Sequence, residues 1–107
     1  MQRATIVRYT TKPGRADENE ALARAVFSEL KGKPSQPFAY ALLRDGHDFL
    51  HLFLNLRTDD ADGVVELQSF KAFTAAGADR WIAPPELVRH SMQLVDAYGF
   101  EAATAPA

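Results

Sequence analysis

His51 and Asn55 are the two polar residues inside an otherwise apolar run, Phe49 to Leu56 of the segment DFLHLFLNL. They stand four apart, so in an extended strand, where side chains alternate, both lie on the side of Phe49 and Phe53, and the other side is leucine throughout. An imidazole, whose ordinary pKa lies near neutrality, set mid-strand between two phenylalanines has the placement of a general base. The amide two same-face positions further on could orient a substrate oxygen. The pair could equally be polar groups satisfied by backbone, buried water or a partner subunit.

Other residues could serve the same place. Tyr9 and Tyr40, on neighbouring strands, could reach a common cavity as hydrogen-bond donors or stacking surfaces, or could be core residues with a hydroxyl at the edge. Trp81, near a helix end, could close such a cavity, with Phe53 as an apolar wall. Arg89 could bind an anionic substrate group or simply be solvated. His47 falls in a turn, and His90 could line either the cavity or a subunit seam. Three histidines on separate elements, with no carboxylate at ligand spacing, do not compose a metal site. No Ser-His-Asp arrangement, phosphate loop or dinucleotide fingerprint is present, and no cofactor is expected.

The chain has 107 residues, enough for one modest core, with 47% hydrophobic and 24% charged residues and a formal charge of -2. That composition predicts a single folded domain over residues 1–100, with 101–107 (EAATAPA) as a disordered tail. Lys and Arg are scattered rather than striped, which argues against a nucleic-acid partner. The sequence contains no cysteine, which removes disulfides and thiolate chemistry and fits a reducing cytoplasm. No apolar run reaches membrane-spanning length, and no signal peptide is apparent, so a cytoplasmic location is expected.

The elements that would position these residues follow from local pattern. Ala4 to Thr10 is rich in β-branched and aromatic residues and ends in a Pro-Gly turn, which predicts a strand. A helix follows, with Asp17 and Glu20 resembling a capping box and a stripe of Leu22, Val26 and Leu30 with Ala23 and Phe27; Gly32 and Pro34 end it. Phe38 to Arg44 and Phe49 to Leu56 form a hairpin around Asp45-Gly46. A second helix is expected at about Gln68 to Trp81, with Leu67, Phe70, Phe73, Gly77 and Trp81 roughly on one face. The segment after Pro84 and Pro85 could be a helix, but the strand reading completes β-α-β-β-α-β, a ferredoxin-like α+β fold with an antiparallel sheet in the order 4-1-3-2.

In that topology both helices cover the same face of the sheet. The third strand is nevertheless apolar on both sides, and Ala41 and Leu43 add to the uncovered face. An identical sheet related by a two-fold axis is the simplest cover, so a homodimer through the sheet face is expected.

With these features, TIVRYTTKPGRADENEALARAVFSEL, FAYALLRDGHDFLHLF, LQSFKAF and LVDAYGF, the sequence resembles the dimeric α/β-barrel superfamily. Within it, the resemblance is to the small antibiotic biosynthesis monooxygenase-like proteins. It implies two ferredoxin-like protomers packed sheet to sheet, and a cofactor-independent oxygenase acting on a small aromatic or quinone-type molecule in an apolar pocket between sheet and helices. The polyketide-quinone oxygenases of that superfamily use Asn, Trp, Tyr and Arg, of which Trp81 and Arg89 could correspond here. The haem-degrading branch uses an Asn on the first strand, which this chain lacks. The alternative is a homodimer that binds a small ligand, or serves structurally, without catalysis.

Overall fold

The computed structural model describes residues 2–33, 38–56 and 67–98, and seven elements lie among these described residues. They are β1 (Gln2–Thr10), α1 (Ala16–Lys31), β2 (Phe38–Asp45), β3 (Asp48–Asn55), α2 (Gln68–Ala75), α3 (Gly77–Arg80) and β4 (Glu86–Met92). The strands form one antiparallel sheet in the order β2-β3-β1-β4, the expected ferredoxin-like arrangement. The segment after the two prolines is thus a strand. The expected tail, 101–107, lies outside the described residues.

Register sets the two faces. Tyr9 pairs with Phe49, Val7 with His51 and Thr5 with Phe53, while on the other flank Tyr40 pairs with Phe53 and Leu42 with His51. Cross-strand partners share a face, so these side chains lie under the helices. Tyr9, Ala23, Val26, Phe49, Leu67 and Phe73 form the buried core there. The opposite face carries Ala41, Leu43, Leu52, Val88 and Met92, all exposed. His90, paired with Ala4, belongs to that exposed face and not to the cavity side.

Two local expectations give way. The residue preceding α1 is Arg15, and no side-chain cap forms there. Asp17 and Glu20 instead point to cations, with Arg44 on β2 holding Asp17 at 3.0 Å and Glu20 at 2.8 Å. The second helix is also not continuous to Trp81. It breaks at Ala76 (φ -113°, ψ 24°) into α2 and the short α3, and Trp81 is already extended. Gly77, a poor helix former, sits at the break because the Trp81 ring lies against it: a Cβ there would overlap Trp81 Cζ3.

The helices are tied to each other and to the sheet. Glu29 on α1 accepts from the Ser69 backbone N–H at 3.0 Å and from its hydroxyl at 2.6 Å, placing a carboxylate at the start of α2, where the helix dipole favours it. The Ser69 bonds hold the Glu29 carboxyl below the usual carboxylate range. The turn after α3 is fastened to the end of β1, since Lys12 N–H donates to Arg80 O at 2.7 Å and Ile82 N–H to Thr10 O at 2.9 Å. Residues 80 and 81 are thereby fixed beside Tyr9.

Candidate functional site

Between the helix-side face of the sheet and α2 lies a cavity of about 390 Å³. Phe53, Phe70, Phe73, Trp81 and Leu87 supply apolar walls; Tyr9, Tyr40 and His51 supply a cluster of polar groups. Apolar walls with a few convergent polar groups are the usual makeup of a small-molecule site. Arg89 also lines it, with Nε donating to Thr5 Oγ1 at 3.3 Å, and is the one charged residue among the described lining residues. A larger groove of about 710 Å³ is lined by Arg8, Arg44, Asp48 and Glu86 among others, charges of both signs, and does not include His51.

The polar cluster is part of a continuous hydrogen-bonded chain across five elements. His51 on β3 meets Tyr9 on β1 through Nε2 at 2.8 Å and Tyr40 on β2 through Nδ1 at 2.6 Å. Asn19 on α1 donates through Nδ2 to the Tyr9 oxygen at 2.8 Å. Its Oδ1 accepts from Arg80 Nε at 3.1 Å and from Trp81 Nε1 at 3.0 Å. Both of those partners can only donate, so the orientation of the Asn19 amide is fixed by its surroundings.

Arg80 is fully buried. Its Nη2 donates to Phe73 O, its guanidinium lies over the rings of Phe73 and Trp81 at 5.1 and 5.4 Å, and Nη1 has no hydrogen-bond partner among the described residues. No carboxylate forms an ion pair with it among the described residues. Desolvation lowers its pKa, yet a guanidinium stays protonated at physiological pH. The cation is therefore compensated by ring faces, by amide and carbonyl dipoles, and at longer range by the negative charge of Glu18, which favours the protonated guanidinium.

Burial controls the protonation of the rest. Desolvation pushes the His51 pKa down to about 4, so the imidazole is neutral at pH 7 rather than poised near its ordinary value. The Tyr9 hydroxyl is pushed up to about 12 by desolvation, partly offset by the Asn19 bond and the Arg80 charge. Tyr40, which has no such offset, is raised well above the ordinary phenol value by desolvation and by Tyr9. At rest both tyrosines are protonated.

Of the residues singled out from sequence, His51, Tyr9, Tyr40, Phe53, Trp81 and Arg89 all reach this cavity. Asn55 does not. It is buried on the same face but pairs with Arg3 and Phe38 at the far end of β3, outside the cavity lining. Asn19 and Arg80 were not foreseen, although both fall on buried stripes: Ala16, Asn19, Ala23 and Val26 on α1, and Phe73, Gly77 and Arg80 along α2 and α3. No group of three or more metal-ligating side chains occurs among the described residues. No described helix is long and apolar enough to cross a membrane.

No family model matches the chain, and no curated protein matches it significantly. Solved structures do. A candidate antibiotic biosynthesis monooxygenase from Nitrosomonas europaea has 15% sequence identity, covering 90% of this chain and 94% of its own, with a TM-score of 0.72. Another such candidate, from Caulobacter crescentus, has 18% identity, 87% and 91% coverage and a TM-score of 0.72. SnoaB, a cofactor-independent oxygenase from Streptomyces nogalater, has 14% identity, 88% and 95% coverage and a TM-score of 0.62. At these identities the likeness speaks for architecture, and the fold of this chain is that of the antibiotic biosynthesis monooxygenase-like proteins.

Proposed function

We propose that the chain is a cofactor-independent monooxygenase-like enzyme that oxidises a small aromatic or quinone-type molecule in the cavity beneath the helices. The observation that carries this reading is the Tyr9–His51–Tyr40 cluster in the wall of an otherwise aromatic cavity of about 390 Å³. The fold shared with SnoaB, described as a cofactor-independent oxygenase, supports it. In such a reaction the substrate gives up a proton to solvent and becomes an electron-rich anion, which passes an electron to dioxygen. The substrate radical and superoxide combine to a peroxide anion, which takes a proton back to become a hydroperoxide, and loss of water leaves a carbonyl: one oxygen atom enters the product, the other leaves as water, and all four electrons come from the substrate and its C–H bonds.

The roles divide by position. Phe53, Phe70, Phe73 and Trp81 hold a flat ring, Arg89 attracts an anionic substituent, and a tyrosine hydroxyl holds the substrate oxygen while His51 joins the two tyrosines. With both ring nitrogens engaged and its pKa pushed down to about 4, His51 acts in this reading as a proton conduit between tyrosines rather than as a strong base. Asn55, remote from the cavity lining, is left without a role in it.

The working form is a homodimer through the sheet's outer face, where Leu43, Leu52, Val88 and Met92 are exposed. A contiguous apolar sheet face calls for a cover, and a second copy of the same face supplies one. The competing reading is a ligand-binding dimer without catalysis, favoured by the way both His51 nitrogens are already satisfied. Oxygen uptake separates the two. Without added cofactor, wild type should consume oxygen with an anthrone or a naphthohydroquinone above the buffer rate, and His51→Ala should not. Uptake equal to buffer across a panel of phenols and hydroquinones refutes the oxygenase.

A further inference from the structure

We propose that Asn19, held by Arg80 and Trp81, is a positioning residue that fixes Tyr9 as the donor to His51 and so leaves Tyr40 with its hydroxyl proton free for an oxyanion in the cavity. The proposal rests on the cavity being the working site, and it gives that site a direction.

The direction follows from counting protons. Asn19 Oδ1 receives two obligate donors, Arg80 Nε and Trp81 Nε1, so Nδ2 must face Tyr9 and the Tyr9 oxygen must accept. The Tyr9 proton then has one acceptor within reach among the described residues, His51 Nε2 at 2.8 Å. A neutral imidazole that accepts at Nε2 carries its proton on Nδ1, and that proton faces the Tyr40 oxygen at 2.6 Å. Tyr40 thus accepts, and its own proton has no protein partner among the described residues. Every group from Arg80 to Tyr40 donates to the next, and hydrogen bonds aligned in this way reinforce one another. The opposite arrangement makes the Tyr9 oxygen accept from Asn19 and His51 together, and turns the chain against the buried cation at its head.

The ligand chemistry that matches the end of this chain is an oxygen anion or a carbonyl oxygen, such as a phenolate or enolate, rather than a group that must surrender a proton to His51. Arg89 is a separate cation in the same lining, suited to a second acidic substituent.

The test reads the tautomer directly. Nitrogen-15 correlation spectra of His51 in the wild-type protein should show a protonated Nδ1 and an unprotonated Nε2. In Asn19→Asp, a near-isosteric change that gives Arg80 a carboxylate partner, the Tyr9 proton should turn to the new carboxylate. Nε2 must then donate to Tyr9, and the tautomer reverses. A wild-type spectrum with the proton on Nε2, or an unchanged tautomer in a folded Asn19→Asp protein, overturns the proposal. Binding of 2-hydroxy-1,4-naphthoquinone, an oxyanion at neutral pH, tests the other end: Tyr40→Phe should weaken it roughly ten- to a hundredfold, the loss of one hydrogen bond to a charged acceptor. Equal affinity overturns the assignment of Tyr40. Because the tautomer is read without turnover, a failed oxygen-uptake assay sinks the enzymatic reading alone, whereas a wrong tautomer sinks this one alone.

Discussion

Replacing Asn19 by leucine, similar in volume and unable to hydrogen-bond, should destabilise the fold far more than its position in an acidic helical segment suggests. The side chain is fully buried and serves as acceptor for Arg80 Nε and Trp81 Nε1 and as donor to Tyr9. A buried donor left without an acceptor costs about 1–3 kcal/mol, and a buried charge stripped of its compensation about 3–5 kcal/mol. Arg80 keeps its bond to Phe73 O, so the loss should fall short of the full sum of about 4–8 kcal/mol, at about 3–6 kcal/mol, a large share of the roughly 5–15 kcal/mol typical of a domain. In urea denaturation, with a slope of about 2 kcal/mol per molar, the midpoint should fall by roughly 1.5–3 M. Arg80→Met removes the cation that Asn19 compensates, so the double variant Asn19→Leu/Arg80→Met should be more stable than the sum of the single losses predicts, by about 1 kcal/mol or more. A loss below about 1 kcal/mol for Asn19→Leu, or strict additivity in the cycle, would refute the view that the amide compensates a buried charge.

Gly77→Ala should cost about 1–3 kcal/mol through overpacking, since the new Cβ would overlap Trp81 Cζ3 and fall 2.5 Å from Cη2; thermal denaturation measures the loss, and fluorescence of the single tryptophan should report the displaced indole. His51, neutral when buried with a pKa of about 4 against its ordinary 6.5, makes the unfolded chain bind more protons between those values. Stability is then fully present above pH 6.5 and is lost as pH falls toward 4, by about 3 kcal/mol in total from this group. The wild-type advantage over His51→Gln should shrink across that window in denaturation measured at each pH, and a pH-independent difference would contradict it. Leu52→Glu, on the exposed sheet face, should convert a wild-type dimer into a monomer by light scattering, and a monomeric mass for the wild type would reject the dimer.

Strand alternation and turn chemistry made most of the architecture legible. The alternation of Phe49, His51, Phe53 and Asn55 placed all four on one face because a strand has a period of two, and the Asp45-Gly46 pair marked the hairpin in which Gly46 adopts φ 61°. Depth within that face was not legible. Whether Asn55 reaches the cavity depends on where the helices end above the sheet, which no periodicity encodes. The capping box failed for a related reason: Asp17 and Glu20 have the spacing of a cap, but Arg44 comes within reach only once β2 is folded beside α1. Asn19 and Arg80 were obscured by their chemistry. Polar residues in charged helical segments read as solvated, and only their coincidence with the stripes of Ala23 and Val26 and of Phe73 and Gly77 carried a signal.

That buried cation changes how the histidine is to be understood. A general base must hold the proton it takes, and a proton on His51 would place a second positive charge in a desolvated site already containing Arg80, bonded to His51 through Asn19 and Tyr9. Desolvation, which lowers the His51 pKa to about 4, opposes the same step. An anion is welcome for the converse reason: it brings negative charge into a cavity whose one charged residue among the described lining residues is Arg89, and it meets a hydroxyl donor prepared by the chain behind it. If oxygenation runs in this cavity, substrate ionisation is therefore driven by stabilising the product anion, and rate should follow the acidity of the substrate hydroxyl more closely than the protonation of His51. A series of substituted naphthohydroquinones, with oxygen uptake measured from about pH 6 to 9, distinguishes these cases: a pH midpoint that moves with substrate pKa agrees with anion stabilisation, and one that stays fixed across the series contradicts it.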